Sequence, residues 1–582
     1  MSLSEKSEDG HNRAEQIVFE YHERTKHHYH RFAASGYMDW ATQPDPFRRY
    51  MGAPLVHLPV PEPGRTMLYW QLYADDRVEP APLSIESTSL FFRYSLSLTA
   101  WKRLHDNAWS LRANPSSGNL HPTEGYALLP AVGGIHERPG FYHYAPKEHA
   151  LERRAELESS VWTALTTSFP NDSFLVALTS IHWRESWKYG ERAFRYCQHD
   201  IGHAVGTLRF AAAALGWKLS LLDPKDRLAK LLGLNRDADY VGAEREASEL
   251  LAIVHPRDCT GITFCDLSKV VASQVADSRW YGRANALSPG NEVSWPVIDV
   301  VSAATSHPTP MNAEEFSGFP LENSLFELPI GHGERTAEHV ILGRRSAVNM
   351  DGSTSISAQI FYQMLARLVP TQDNRSVPWD AIPWRPRIHL GLFVHRVNEL
   401  TPGLYALVRD SAKLEPLKQV MRPDFLWQRP TSCPSGLSLY LLKEGDCRAL
   451  AAAVSCGQDI AGDGAFSLGM IADYENSLTK YAAAFYPKPK VTGSTPVGGA
   501  SVLVPNIHAE DYAGRVLLIG TVCTAGERSG AIGSANHNGV LTHGQRTRDN
   551  DICWRAFGCP SHTEVSNTTD SSHRRTIDKH FG

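Results

Sequence analysis

Two halves of this chain carry the same short signals in the same order. Arg93-Tyr-Ser95, Pro139-Gly-Phe-Tyr142, Phe174-Leu-Val-Ala-Leu178 and Lys188-Tyr189 come first. They are answered by Arg344-Arg-Ser346, Pro402-Gly-Leu-Tyr405, Phe466-Ser-Leu-Gly-Met470 and Lys480-Tyr481. Each Lys-Tyr stands at the same distance from its Phe. Each Pro-Gly follows an apolar run, Tyr126 to Leu129 or Leu390 to Val394, and reads as a turn between strands. One echo arises by chance; a whole ordered series points to duplication. The expectation is an α+β fold made of two tandem domains, mainly antiparallel sheet flanked by helices.

The boundaries follow from composition. Residues 1–20 are polar and read as a disordered arm, 21–280 as the first domain, 281–330 as a Pro/Ser/Asn-rich linker and 331–487 as the second domain. The repeat breaks near 488. After Lys188-Tyr189, residues Ile201, Val205, Leu208, Ala212 and Leu215 fall at helical spacing, and Gly216 is placed to end the helix. The matching helix after Tyr486 is replaced by a Pro/Gly-rich string beginning at Pro487, which helices reject. Residues 488–582 are therefore expected to be an atypical, largely disordered tail, foreign to the repeat, and the second domain incomplete.

Composition narrows the function classes. The chain has 582 residues, 42% apolar and 21% charged, enough for sizeable cores. A net charge of −5 argues against nucleic acid or an anionic membrane as the main partner. The N-terminus is too polar for a signal peptide. The best apolar stretch, Leu208 to Leu222, is broken by Arg209 and Lys218, so no membrane span is expected. Nine cysteines without a CxxC pair suit reduced thiols in the cytoplasm. No Walker loop, G-x-G-x-x-G or G-x-S-x-G occurs.

The chemistry concentrates in Arg112-Ala-Asn-Pro-Ser-Ser-Gly-Asn-Leu-His-Pro-Thr-Glu124. Short polar side chains and a glycine between two prolines can build a concave loop of backbone N–H groups, suited to a flat, polar-edged, phosphate-bearing cofactor. A second cue is Gly343-Arg-Arg-Ser-Ala347, expected at the start of a helix, where forked guanidinium donors and a hydroxyl meet phosphate. A third is Lys188-Tyr189, a proton-transfer pair in which an ammonium would ease deprotonation of a phenol, or simply a surface Lys beside a half-buried Tyr. A fourth is His199-Asp-Ile-Gly-His203, two imidazoles one turn apart that would suit zinc, although the middle acid is an Asp and no third ligand is evident. The histidines at 27, 28 and 30 read as part of a polar arm.

The Pro-Ser-Ser-Gly-Asn string resembles the loop of nitroreductase-like flavoproteins, and the longer stretch is similar to their SagB-type dehydrogenase (McbC-like) branch. That resemblance implies FMN as cofactor, with reduced NAD(P)H as donor in a nitroreductase-type cycle, or the reverse electron flow from a peptide azoline. It implies FMN contacts from Arg112, Asn114, Pro115, Ser116, Ser117, Gly118 and Asn119, and from Arg344, Arg345 and Ser346. It implies catalysis by Lys188 and Tyr189. In such proteins the flavin lies between two domains, one giving Arg-x-Ser and the other the loop. Here the loop occurs only in the first half and the fuller Arg-Arg-Ser only in the second. A monomer acting as an intrachain pseudo-dimer, holding at most one flavin and no metal, is the expectation, with a small-molecule or peptide substrate. The alternatives are a degenerate, non-catalytic flavin-fold or interaction protein, and a zinc hydrolase using His199 and His203.

Overall fold

Phe174–Ser180 is an apolar run buried along its whole length, and such a run belongs in the middle of a sheet covered on both faces. The computed structural model places it there. The structure describes residues 3–25, 39–60, 67–73, 78–104, 107–167, 169–222, 227–256, 274–290, 293–306, 335–347, 349–370, 377–382, 386–455, 458–472 and 517–524. The first sheet has seven strands in the order Leu55–His57, Ala150–Glu156, Gly140–Ala145, Thr123–Leu129, Phe174–Ser180, Ala247–Pro256, Trp217–Leu222. All its neighbours are antiparallel.

The second sheet has five strands in the order Leu439–Glu444, Gly403–Leu407, Ile388–Val394, Phe466–Ala472, Leu517–Thr524. Again every pair is antiparallel. Its order reproduces Ala150–Glu156, Gly140–Ala145, Thr123–Leu129, Phe174–Ser180, Ala247–Pro256 of the first. The sequence echoes fall on matching places. Pro139 and Pro402 each precede the strand beside the centre, and Phe174 and Phe466 each open the strand on its other side. The fold is α+β with two sheets of common topology.

The helix Ala193–Ala214 joins the lobes and is buried from Ala193 to Ala213. Ile201, Val205, Leu208, Ala212 and Leu215 pack into the first core with Val176, Leu178 and Ala127. Ala193 and Phe194 enter the second core beside Leu390 and Tyr405. Phe210 and Ala213 meet Ala337 and Val377, and Arg209 donates to Asp380 at 2.9 Å. Gly216, at φ 69°, terminates this helix as the spacing predicts.

Several expectations are corrected. Within the expected disordered arm 1–20, Leu3–Arg24 is a helix, because Ala14, Val18 and Tyr21 recur at helical spacing and enter the second core. Within the expected linker 281–330, Arg283–Ala284 pairs with Tyr50–Met51, and the helix Pro296–Thr305 buries Ile298, Val301 and Ala304. Within 488–582, Leu517–Thr524 forms the edge strand on Phe466–Ala472. The second Lys480-Tyr481, residues 487–516 where the matching helix is expected, and the histidines at 27, 28 and 30 lie outside the described residues. Gly343-Arg-Arg-Ser does not open a helix; it follows one. Thr336 caps the N-terminus of Ala337–Gly343, so that helix is already finished where Arg344 turns extended. Among the described residues no helix is long and apolar enough to cross a membrane.

Candidate functional site

The hairpin Leu98–Leu104 and Asn107–Arg112 delivers the chain into the Pro-Ser-Ser-Gly-Asn loop. Arg112 is buried and donates to the carbonyls of Pro46 at 2.5 Å and Thr123 at 3.5 Å. Its guanidinium thus fixes the base of the loop, and burial lowers its pKa to about 10. Asn114 is also buried, with Oδ1 unpartnered. Beyond it the chain surfaces: Pro115 to Ser117 and Asn119 are half-buried and Gly118 is exposed. Gly118, Asn119 and His121 have φ of 61°, 60° and 53°. Left-handed backbone at two non-glycine residues costs about 1 kcal/mol each and persists only where surroundings enforce it.

Asp200 enforces it. Its Oδ1 accepts from Ser117 N at 2.8 Å and Ser117 Oγ at 2.9 Å. Ser116 Oγ accepts from His121 N at 2.8 Å, and Asn119 Nδ2 donates to Ser110 O at 3.0 Å. Asp200 sits on the joining helix, so the loop is clamped to the element both lobes share. Burial lifts its carboxyl to about 7, against the pull of the two serines.

The helix His182–Tyr189 carries Lys188 and Tyr189 to the other side of the loop. A Cβ on Gly118 would lie 2.6 Å from the Tyr189 hydroxyl and 3.0 Å from Lys188 Nζ. The loop and the Lys-Tyr pair, distant in sequence, therefore form one surface. Its electrostatics differ from the sequence reading. The Tyr189 phenol is held well above its ordinary pKa by burial, with Glu185, Tyr196 and Asp200 adding to the effect. Burial lowers Lys188. The ammonium, not the phenol, is the group eased toward losing its proton.

The second lobe reaches the same place. Arg344 Nη2 donates to Arg112 O at 3.2 Å, and Arg345 Nη2 to Thr99 O at 3.3 Å. Arg345 Nη1 also binds the carbonyls of Leu342 and Arg344, both at 2.7 Å, so its role is to close the preceding helix. Arg344 is different. Its Nε and Nη1 are buried without hydrogen-bond partners, and burial, with Arg345 nearby, lowers its pKa to about 10. Its charge acts on His203, which burial and Arg344 together push down to about 3. His203 stands one turn from Asp200 on the joining helix, so Arg344 and the loop address one helix face. Ser346 follows, half-buried. Arg93 instead pairs with Glu338 at 3.2 Å.

Unsatisfied buried donors are costly unless a ligand completes them. Arg344 Nε and Nη1 fit an anionic acceptor, while Asn114 Oδ1 and Asp200 Oδ2 fit a polar ring edge. The donor set suits a phosphate-bearing flavin. It suits zinc poorly: one Asp200 oxygen is held by Ser117, the positive charge of Arg344 acts on His203, and no group of three or more His, Cys, Asp or Glu placed to hold a metal occurs among the described residues. Sequence reasoning does not find the roles of Asp200, His203 and Glu185. The signal available for the first two is their shared helix face, which reads locally as a metal motif.

No family model matches the chain. Over 106 residues it is 29% identical to a putative nitroreductase of Methanocaldococcus jannaschii, a match covering 18% of this chain and 52% of that relative. The chain thus spans about half the length of the curated relative it matches. A solved putative nitroreductase from Anabaena variabilis superposes with a TM-score of 0.59 at 19% identity, covering 88% of this chain and 99% of the other. The Escherichia coli microcin synthetase McbBCD complex aligns at a TM-score of only 0.24 and 16% identity, over 44% of this chain and 98% of that one.

Proposed function

We propose that this chain, nitroreductase-like in fold, is an FMN-dependent oxidoreductase with one flavin site between its lobes. The observation supporting it is the convergence on one helix face of a strained Ser-Ser-Gly-Asn loop and a second-lobe arginine with two unpartnered N–H groups. Arg344 and Ser346 would hold the phosphate end. Pro115 to Asn119 would line the ring and ribityl chain, and Arg112 would fix the loop from behind. Bound there, FMN would supply two-electron transfer.

The chain's own residues bind, orient and move protons. Asp200 orients the loop through Ser117, and the hydrophobic joining helix excludes water from its back. Lys188, whose Nζ lies near Gly118 and whose pKa burial lowers, would exchange a proton with the bound substrate. Tyr189, held as a neutral phenol, would donate a hydrogen bond to that substrate. NAD(P)H with a nitroaromatic, quinone or enone acceptor is one substrate set; a small-molecule or peptide azoline giving electrons to the flavin is the other. The unit is a monomeric intrachain pseudo-dimer, and buried free thiols at Cys197, Cys433 and Cys447 suit the cytoplasm.

The test is FMN titration of the purified chain and of Arg344→Ala. Tight binding by the parent and a loss of about 10- to 100-fold in the variant would support the assignment, being the effect of about 1.5–3 kcal/mol for a charge-assisted bond. A folded parent that takes up no FMN would favour the degenerate, non-catalytic reading.

A further inference from the structure

Glu185 lies on the same helix as Lys188, one turn before it, with its side chain fully buried. Neither of its carboxyl oxygens has a hydrogen-bond partner. Asp200, on the joining helix, is close enough for its charge to act on Glu185; its Oδ2 is also unpartnered, while Oδ1 is engaged by Ser117. A buried carboxylate without donors is several kcal/mol out of balance, so a carboxyl so placed keeps its proton or passes it to a neighbour. The titratable groups that act on Glu185 or are acted on by it are Lys188 and Tyr189 on its own helix, and Asp200 and Cys197 on the joining helix. Burial and Asp200 hold Glu185 well above the usual carboxylate range, and only Lys188 pulls it down.

We propose that Glu185 is the proton store for the site: a buried neutral acid that returns to Lys188 the proton Lys188 exchanges with substrate. This rests on the flavoenzyme reading above. The balance is simple in the reductive direction. Lys188 ammonium gives a proton to the reduced substrate and becomes an amine; Glu185, one turn away and not hydrogen-bonded to Nζ, passes its proton to that amine after a change of rotamer or through one water, and is left as a carboxylate near the restored ammonium. One proton from solvent then recharges Glu185. In the oxidative direction the substrate's proton follows the same path outward. Glu185 touches no substrate, so its role is positioning and supply.

Three features set this acid apart from a residue buried for packing. It carries no structural hydrogen bond, unlike Glu124, which is held by Arg184 and His143. It sits where an apolar side chain would fill the space without a desolvation cost. And it lies one turn from Lys188, whose side chain packs against Gly118 of the loop.

The experiment uses the full chain with FMN, NAD(P)H and a nitroaromatic acceptor, comparing parent and Glu185→Gln. Infrared difference spectra of parent minus Glu185→Gln should show a protonated-carboxyl C=O band at neutral pH, distinct from that of Asp200, whose carboxyl stands at about 7 and is present in both. The variant should bind FMN within about two-fold of the parent, keep KM, and lose on the order of 100-fold in kcat with one limb of the pH–rate profile displaced. Glu185→Asp, which keeps an ionisable group, should recover part of kcat. Unchanged kcat and pH profile in Glu185→Gln with FMN still bound would overturn the proton store alone. Absence of the carboxyl band would do the same. A parent that binds no FMN would overturn the cofactor reading and this inference together, which a flavin titration separates from the other two results.

Discussion

Replacing Gly118 with alanine tests the contact on which the site is built. The added Cβ would stand 2.6 Å from the Tyr189 hydroxyl and 3.0 Å from Lys188 Nζ, and Gly118 has φ of 61°. The backbone contribution is about 1 kcal/mol for an L-residue in the left-handed region. The steric contribution depends on whether Tyr189 can retreat. Its ring lies 4.2 Å from that of Tyr196, centroid to centroid, and Tyr196 belongs to the buried joining helix, so retreat is hindered. Overpacking of this kind costs about 1–3 kcal/mol. Gly52 is the control. It has φ of 87°, and a Cβ added there would meet nothing within 4 Å, so Gly52→Ala carries the backbone cost alone. Chemical denaturation followed by tryptophan fluorescence should show Gly118→Ala less stable than Gly52→Ala by about 1–3 kcal/mol. FMN affinity should fall in Gly118→Ala and stay unchanged in Gly52→Ala. Equal stability of the two variants would refute the packing of the loop against Lys188-Tyr189.

Three further outcomes are expected. His143 is held between Glu124 at 3.0 Å and Glu152 at 2.9 Å; burial lowers its pKa, but the two carboxylates outweigh this and raise it to about 9. Its stabilisation is complete below the ordinary histidine pKa near 6.5 and is lost as pH rises through about 9. His143→Gln should therefore flatten the fall of thermal midpoint between pH 6.5 and 9, and an unchanged slope would contradict the assignment. Arg345→Ala should lower the thermal midpoint while leaving FMN affinity closer to the parent's than Arg344→Ala does, because Arg345 closes a helix end and Arg344 carries the unpartnered donors. Ending the chain after residue 487 removes the edge strand Leu517–Thr524 and bares Phe466–Ala472, so the shortened protein should aggregate in light scattering; a soluble monomer of parental stability would show that this strand contributes nothing.

Much of the architecture is legible in the sequence because apolar periodicity and turn chemistry are local. Ile201, Val205, Leu208, Ala212 and Gly216 mark the joining helix and its end, and the paired Pro-Gly turns mark matching hairpins. The edge strand Leu517–Thr524 goes unread: its run Leu517-Leu-Ile-Gly-Thr-Val-Cys-Thr524 is β-forming, but the polar sequence around it reads as tail. The N-terminal helix is hidden for a similar reason: Ala14, Val18 and Tyr21 are few, and the partners of Tyr21, Glu191 and Phe194, lie far away in the chain, Glu191 by 170 residues. The site is legible only in pieces. A loop, an Arg-Arg-Ser and a Lys-Tyr can be read locally, but their meeting is a tertiary fact. So is the division between Arg344 and Arg345, since identical side chains differ only in which carbonyls they find. Asp200 misleads because two histidines flanking an acid evoke a metal, whereas its partner is the backbone N–H of Ser117, far earlier in the chain.

The account stands most directly on the number of flavins the folded chain holds. Among the described residues the Ser117–Asp200 clamp occurs in the first lobe and the unpartnered Nε and Nη1 of Arg344 in the second, which together would make one site. Saturating the purified chain with FMN, removing the excess and measuring flavin absorbance against protein concentration should give one flavin per chain. Two per chain would contradict the single interlobe site, and none would contradict the cofactor.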